Sequence, residues 1–250
     1  QKMVLNQIHK KLAPIIFVID TSAGMAEESI VAVNEAMNSL IAEMNSRNDD
    51  FFRDNDVAIG ILSYSNYARW ITNGLENIED YCWQELIAHG LSNLGTALDQ
   101  LGIKLSRHAL LNCPNGVRVP TIFFIVGGDS TDSYKESLEK LRNNKWFQVS
   151  RKICINYNLA DDKIVRSLVD REDDVLYTKT TVGLKNMIIN EFPKYLKDVV
   201  IGSRNPFAEP KEYIDELGRL RAHNSESTST YEPSDSEDLW VEFDDEDGFI

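Results

Sequence analysis

A chain of 250 residues that is 42% hydrophobic is long enough to bury one core of roughly 200 residues and still carry an appendage. Its net charge of −14 is unevenly spread: residues 224–250 hold ten acidic residues and no Lys or Arg, which leaves −4 for the remainder. An acidic end of this kind repels phosphate backbones and anionic lipid, which argues against nucleic acid and membrane partners and for a basic protein surface.

The first strand is the apolar run 15–19, after which Ile30, Val33, Met37, Leu40, Ile41 and Met44 recur at helical spacing. Two β-type runs, 57–64 and 68–72, are joined by Ser65-Asn66-Tyr67 and predict a hairpin whose second arm is an antiparallel edge strand. Leu94, Ala97, Leu98, Leu101 and Leu105 predict a second helix, starting just after Gly90-Leu91-Ser92-Asn93. The buried strand 121–126 ends at Gly127-Gly128 and leads to a helix around Tyr134, Leu138 and Leu141. Strands at 152–157 and 175–178 flank a helix around Ile164 and Leu168, and a last helix carries Leu184, Met187, Ile188 and Phe192. This alternation predicts an α/β fold: a doubly wound, mostly parallel six-stranded sheet with one antiparallel edge strand and helices on both faces. Residues 1–12 form an N-terminal extension and 13–200 the domain. Residues 201–223 are a linker with a helix through Tyr213, Ile214, Leu217 and Leu220, and 224–250 an acidic tail too polar to order itself.

Cys82, Cys113 and Cys154 show no CxxC or CxxH spacing and read as reduced thiols. No apolar run of about 18 residues and no charged-then-apolar leader is visible, so a cytoplasmic location is expected. His9, His89, His108 and His223 are scattered and no motif places a base beside Ser22, so the chain is not expected to be an enzyme.

The most informative segment is Asp20-Thr21-Ser22-Ala23-Gly24, directly after the first strand. An acidic and hydroxyl-bearing loop at the carboxyl edge of an open α/β sheet can hold a hard cation. Together with Gly90-Leu91-Ser92-Asn93-Leu94-Gly95-Thr96-Ala97-Leu98 and Val126-Gly127-Gly128, it resembles the three metal-binding loops of the von Willebrand factor A (VWA) family, over residues 13–200. That resemblance implies Mg²⁺ held by Asp-x-Ser-x-Ser, by Gly-x-Thr ahead of a Leu-Gly-x-Ala-Leu helix start, and by Thr-Asp-Gly. Here Gly24 replaces the second serine, Ser92 keeps a hydroxyl in the second loop, and Gly127 stands where the aspartate would be. A degenerate metal-ion-dependent adhesion site follows, with Mg²⁺ bound weakly or not at all, because each lost oxygen ligand lowers charge and preorganisation. The candidate metal residues are Asp20, Ser22, Ser92 and Asp129, with Asp129 or Asp132 needed to complete the site. The alternative is that Asp20 and Ser22 only cap the first helix.

Residues 125–134 resemble the Leu-Thr-Asp-Gly-Glu-Pro-Thr-Asp-Asp-Trp stretch of bacterial VWA proteins associated with tellurite-resistance clusters, and keep Thr131-Asp132. The resemblance implies a kinase or phosphatase as protein partner and a place in signalling or stress resistance. In the tail, Trp240, Phe243 and Phe249 set apolar anchors among carboxylates and are candidate partner-binding residues. A merely solubilising tail is the alternative, as is one that folds back to bring a carboxylate to Ser22 and Ser92. The expected function is a non-catalytic protein-binding adaptor or scaffold; a Mg²⁺-dependent ligand-binding module is the alternative.

Overall fold

The computed structural model describes residues 10–47, 50–158 and 160–201, so the predicted Tyr213–Leu220 helix and the tail anchors Trp240, Phe243 and Phe249 lie outside the described residues. In chain order the strands are β1 (Lys11–Asp20), β2 (Asn55–Tyr64), β3 (Ala68–Trp70), β4 (Glu76–Asn77), β5 (Thr121–Val126), β6 (Arg151–Tyr157) and β7 (Val175–Thr178). The helices are α1 (Glu28–Ser46), α2 (Asp50–Asp54), α3 (Leu94–Lys104), α4 (Tyr134–Arg142), α5 (Lys145–Val149), α6 (Asp162–Ser167), α7 (Thr181–Asn186) and α8 (Phe192–Ile201), with a π-helical turn at Met187–Glu191.

One sheet runs in the order β3-β2-β1-β5-β6-β7, with β4 also paired to β2. β2, β1, β5, β6 and β7 are parallel. The predicted hairpin forms with Tyr64 opposite Ala68. Beyond Trp70 the ladder becomes irregular, because the Thr72 hydroxyl accepts the Ile61 N–H at 3.0 Å. The chain then returns to β2 as β4, a seventh strand on the antiparallel edge. Two polar residues have neither the length nor the alternation by which a strand is read, and the five-residue α2 and α5 are likewise too short to show a helical period.

Successive residues of β1 point to opposite faces, and both faces are covered. Ile15, Phe17 and Ile19 join Ile59, Ile61, Phe123 and Ile125 in a core closed by α1 residues and by Leu184, Ile188 and Phe192. The opposite residues Ile16, Val18, Ile122 and Phe124 are also fully buried, on the face where α3 and α4 pack. Within the first core, Phe123 stacks on Phe17 at 5.2 Å and on Phe192 at 4.1 Å between ring centroids, which ties the start of α8 to the two central strands. Lys152, 2% exposed inside a strand, donates to Phe147 O at 2.6 Å and Ser150 O at 2.9 Å and so satisfies carbonyls at the end of α5.

The register sets Ile19 beside Ile125 and Asp20 beside Tyr64, so β1, β2 and β5 deliver their last residues to one edge. Phe192→Ala removes the ring that joins α8 to that sheet and is expected to lower the unfolding free energy by about 3–5 kcal/mol in urea denaturation. A loss below about 1 kcal/mol would show that the stack does not belong to the core.

Candidate functional site

Asp20 ends β1 with no solvent exposure, and its carboxylate accepts hydrogen bonds from three chain segments. Oδ1 accepts the Ser22 N–H at 2.7 Å; Oδ2 accepts the Ser92 hydroxyl at 3.1 Å and the Gly127 N–H at 3.2 Å. The same segments hold one another. Thr21 donates to Tyr64 O through both N–H and hydroxyl, at 2.8 and 2.9 Å, and the His89 N–H donates to Thr21 O at 2.8 Å. The Ala23 N–H reaches Gly90 O at 2.9 Å, and the Thr131 N–H reaches Ser92 O at 2.8 Å. Asp20, Ser22 and Ser92, all predicted site residues, therefore meet at one point.

Ser22 precedes a 3₁₀ turn at Ala23–Met25 without a side-chain capping bond, and α1 begins only at Glu28, led in by Glu27 at a φ of 59°. The alternative in which Asp20 and Ser22 cap the first helix is corrected by this geometry: Asp20 bonds back to Ser22 within its own loop.

Burial raises the Asp20 pKa above its ordinary 3.8, and the Ser22, Gly127 and Ser92 donors offset that only in part. Tyr64, its neighbour in the register and 1% exposed, adds an aromatic ring to this dry setting.

Mg²⁺ demands a nearly octahedral set of about six oxygens. The residues present do not make one. Gly24 and Gly127 offer no side-chain oxygen, and neighbouring atoms crowd both positions: a backbone carbonyl at Gly24 and a side chain at Gly127. A Cβ built on Gly24 would lie 3.1 Å from Gly127 O; one built on Gly127 would lie 2.5 Å from Met25 Cγ and closer still to Sδ. Met25 is fully buried. A soft thioether, poorly matched to a hard cation, thus fills the space that a third-loop carboxylate would occupy. Among the described residues, no group of three or more His, Cys, Asp or Glu side chains is placed to hold a metal ion.

Asp129, the fourth predicted metal residue, does not join the other three. It is exposed, and its Oδ1 accepts the Asp161 N–H at 2.6 Å at the entrance to α6. Asp132 serves α3 instead of the predicted site. Its Oδ1 accepts the Gly95 N–H at 3.0 Å and the Ser130 hydroxyl at 2.7 Å, and its Oδ2 the Thr96 N–H at 3.2 Å. Asn93, which precedes α3, makes no capping bond, so the free N–H groups of that helix are satisfied from beyond β5. Gly95 allows the approach, since a Cβ there would stand 2.8 Å from Asp132 Oδ2. Sequence reasoning missed this cap, the Gly127 N–H and Met25; a bulky apolar residue directly after the depleted serine position was the available signal for the last.

Asp132→Ala is expected to cost about 1–2 kcal/mol of unfolding free energy through the lost cap, measured by urea denaturation. For Asp20 the folded pKa is raised, so between 3.8 and that higher value the folded state binds the proton more tightly than the unfolded chain. Its contribution to stability therefore declines as pH rises through this window. The stability of the wild type relative to Asp20→Asn should fall in the same direction, and a difference independent of pH would refute the shift.

Comparison with known proteins places this geometry. Alignment with the von Willebrand factor type A protein from Catenulispora acidiphila covers 76% of this chain and 43% of that one, at 13% identity and a TM-score of 0.54. Proximal thread matrix protein 1 from the mussel byssus, with a zinc-occupied MIDAS motif, gives 76% and 48%, 15% identity and 0.53. The ArnB paralog VWA2 from Sulfolobus acidocaldarius gives 71% and 44%, 18% identity and 0.53. At these identities the likeness shows the fold alone, and this chain spans less than half the length of each. A search of curated proteins returned no match. The model of the von Willebrand factor type A domain matches residues 15–187, which include all three loops around Asp20. The chain belongs to the VWA family, whose modules generally serve adhesion and protein interaction.

Proposed function

We propose that this chain is a non-catalytic protein-binding adaptor that recognises its partner through the loops at the carboxyl edge of the sheet. The observation that carries this reading is the exposure of Tyr67 and Leu91, 82% and 56%, on two loops that hold each other. Asn66 Oδ1 accepts the Leu91 N–H at 2.8 Å, and Asn93 Nδ2 donates to Asn66 O at 3.0 Å. Apolar side chains presented by a hydrogen-bonded frame lose little freedom on binding, and an aromatic anchor is a typical centre of binding energy. Ala23, Gly24 and Gly90 are exposed beside them and carry no charged side chain, in keeping with the depletion of charge at interface centres.

The non-catalytic part of the reading rests on Ser22 and Ser92. Both hydroxyl-bearing residues are buried, 3% and 6% exposed, and Ser92 donates its proton to Asp20. Neither presents an activated nucleophile to solvent. Cys82 and Cys113 are free thiols, exposed and partly exposed, which supports a reducing compartment such as the cytoplasm. Among the described residues no helix is long and apolar enough to cross a membrane. The finer reading, a kinase or phosphatase partner in a stress-resistance system, has the resemblance of residues 125–134 as its sole support.

In a pull-down with the full chain, Tyr67→Ala combined with Leu91→Ala should weaken capture of a specific partner by tenfold or more, with the circular dichroism spectrum unchanged. The same partner held equally by the double variant, and lost when residues 224–250 are deleted, would move recognition to the tail.

A further inference from the structure

We infer that Met25 is a built-in plug that closes the Asp20 cluster to divalent cations, so that the loops of this edge are locked by hydrogen bonds where a metal would otherwise join them. Three observations converge on it. First, Met25 is fully buried, and its Cγ and Sδ lie where a side chain on Gly127 would begin. The 3₁₀ turn that carries it is pinned by the Met25 N–H on Ser22 O at 2.9 Å and the Ala26 N–H on Ala23 O at 3.1 Å. Second, the other depleted position is tight as well: a Cβ on Gly24 would press on Gly127 O at 3.1 Å, so a side chain regained there has to displace the backbone of the third loop. Third, both oxygens of Asp20 already face N–H or O–H hydrogens, whose positive ends occupy the directions a cation would need.

The loss of two ligand positions is thus a concerted replacement. The space released by an absent carboxylate is taken by a thioether, and the charge a cation would have balanced is met by two backbone N–H groups and one hydroxyl. A partner bound at this edge is therefore bound equally well in Mg²⁺ and in EDTA. The inference goes beyond the adaptor reading and does not need it, because the isolated chain is enough to test it.

The first test titrates the full chain and its Asp20→Asn variant with Mg²⁺ and with Mn²⁺, by calorimetry and by thermal unfolding. The acidic tail contributes the same weak uptake to both, so the difference between them is the readout. The expected result is no difference in heat or in Tm shift. Saturable one-site uptake by the folded wild type that is absent from the folded variant would overturn the plug.

The second test is a double-mutant cycle that needs no cation. Gly127→Ala should lower Tm by about 4 °C or more in the wild type, or prevent folding, and should lower it far less in a Met25→Ala background. Equal losses in the two backgrounds, or no loss in the wild type, would show that the thioether does not fill the space and would overturn the inference.

Discussion

The carboxylate of Asp20 is buried where β1 ends, and the shape of the whole carboxyl edge depends on how that charge is satisfied. An ionised group out of water costs several kcal/mol unless hydrogen-bond donors replace the lost hydration. Here the donors come from the segment after β1, the lead-in to α3 and the residue after β5. Displacing any one of the three leaves buried charge short of a partner, so each loop is held by the needs of the other two. The raised pKa shows that the compensation is incomplete. The edge is therefore a stiff frame built around a group that the fold holds at some expense.

Much of this architecture was legible in the sequence because it rests on long apolar periods. α1 could be read from Ile30 to Met44, α3 from Leu94 to Leu105, and β5 from six consecutive residues that prove to be fully enclosed. The short elements were not legible: β4 has two residues and α2 and α5 five each, so no period can develop to reveal them. Lys152 shows the same limit at a single residue. A charged side chain within a strand reads as exposed, whereas here the Asp170 carboxylate at 2.9 Å and the carbonyls at the end of α5 together let it be buried.

The candidate site divides along a similar line. Asp20, Ser22 and Ser92 could be found because a resemblance marks side chains, and side chains are what a sequence displays. The Gly127 N–H could not, since a backbone donor is common to nearly every residue and only the register of β5 against β1 aims this one at Oδ2. Asp129 and Asp132 were read as neighbours of the third loop. Their real partners, the Asp161 and Gly95 N–H groups, are set by where α6 and α3 begin in space. A local string of letters contains no information on that until the sheet order is known.

Because Asp132 caps α3 from beyond β5, the helix and the third loop cannot mature separately as the chain folds. The cap lies 37 and 36 positions from the N–H groups it satisfies, so a long loop must close before α3 gains it. An eleven-residue helix without a local cap is too short to persist alone in water, where about 12–15 residues are already marginal. α3 should therefore consolidate only after β5 has joined the sheet, and contacts of such sequence separation slow folding. The edge that presents Tyr67 and Leu91 thus draws one of its supports, the capped start of α3, from a segment 36–37 positions further along the chain.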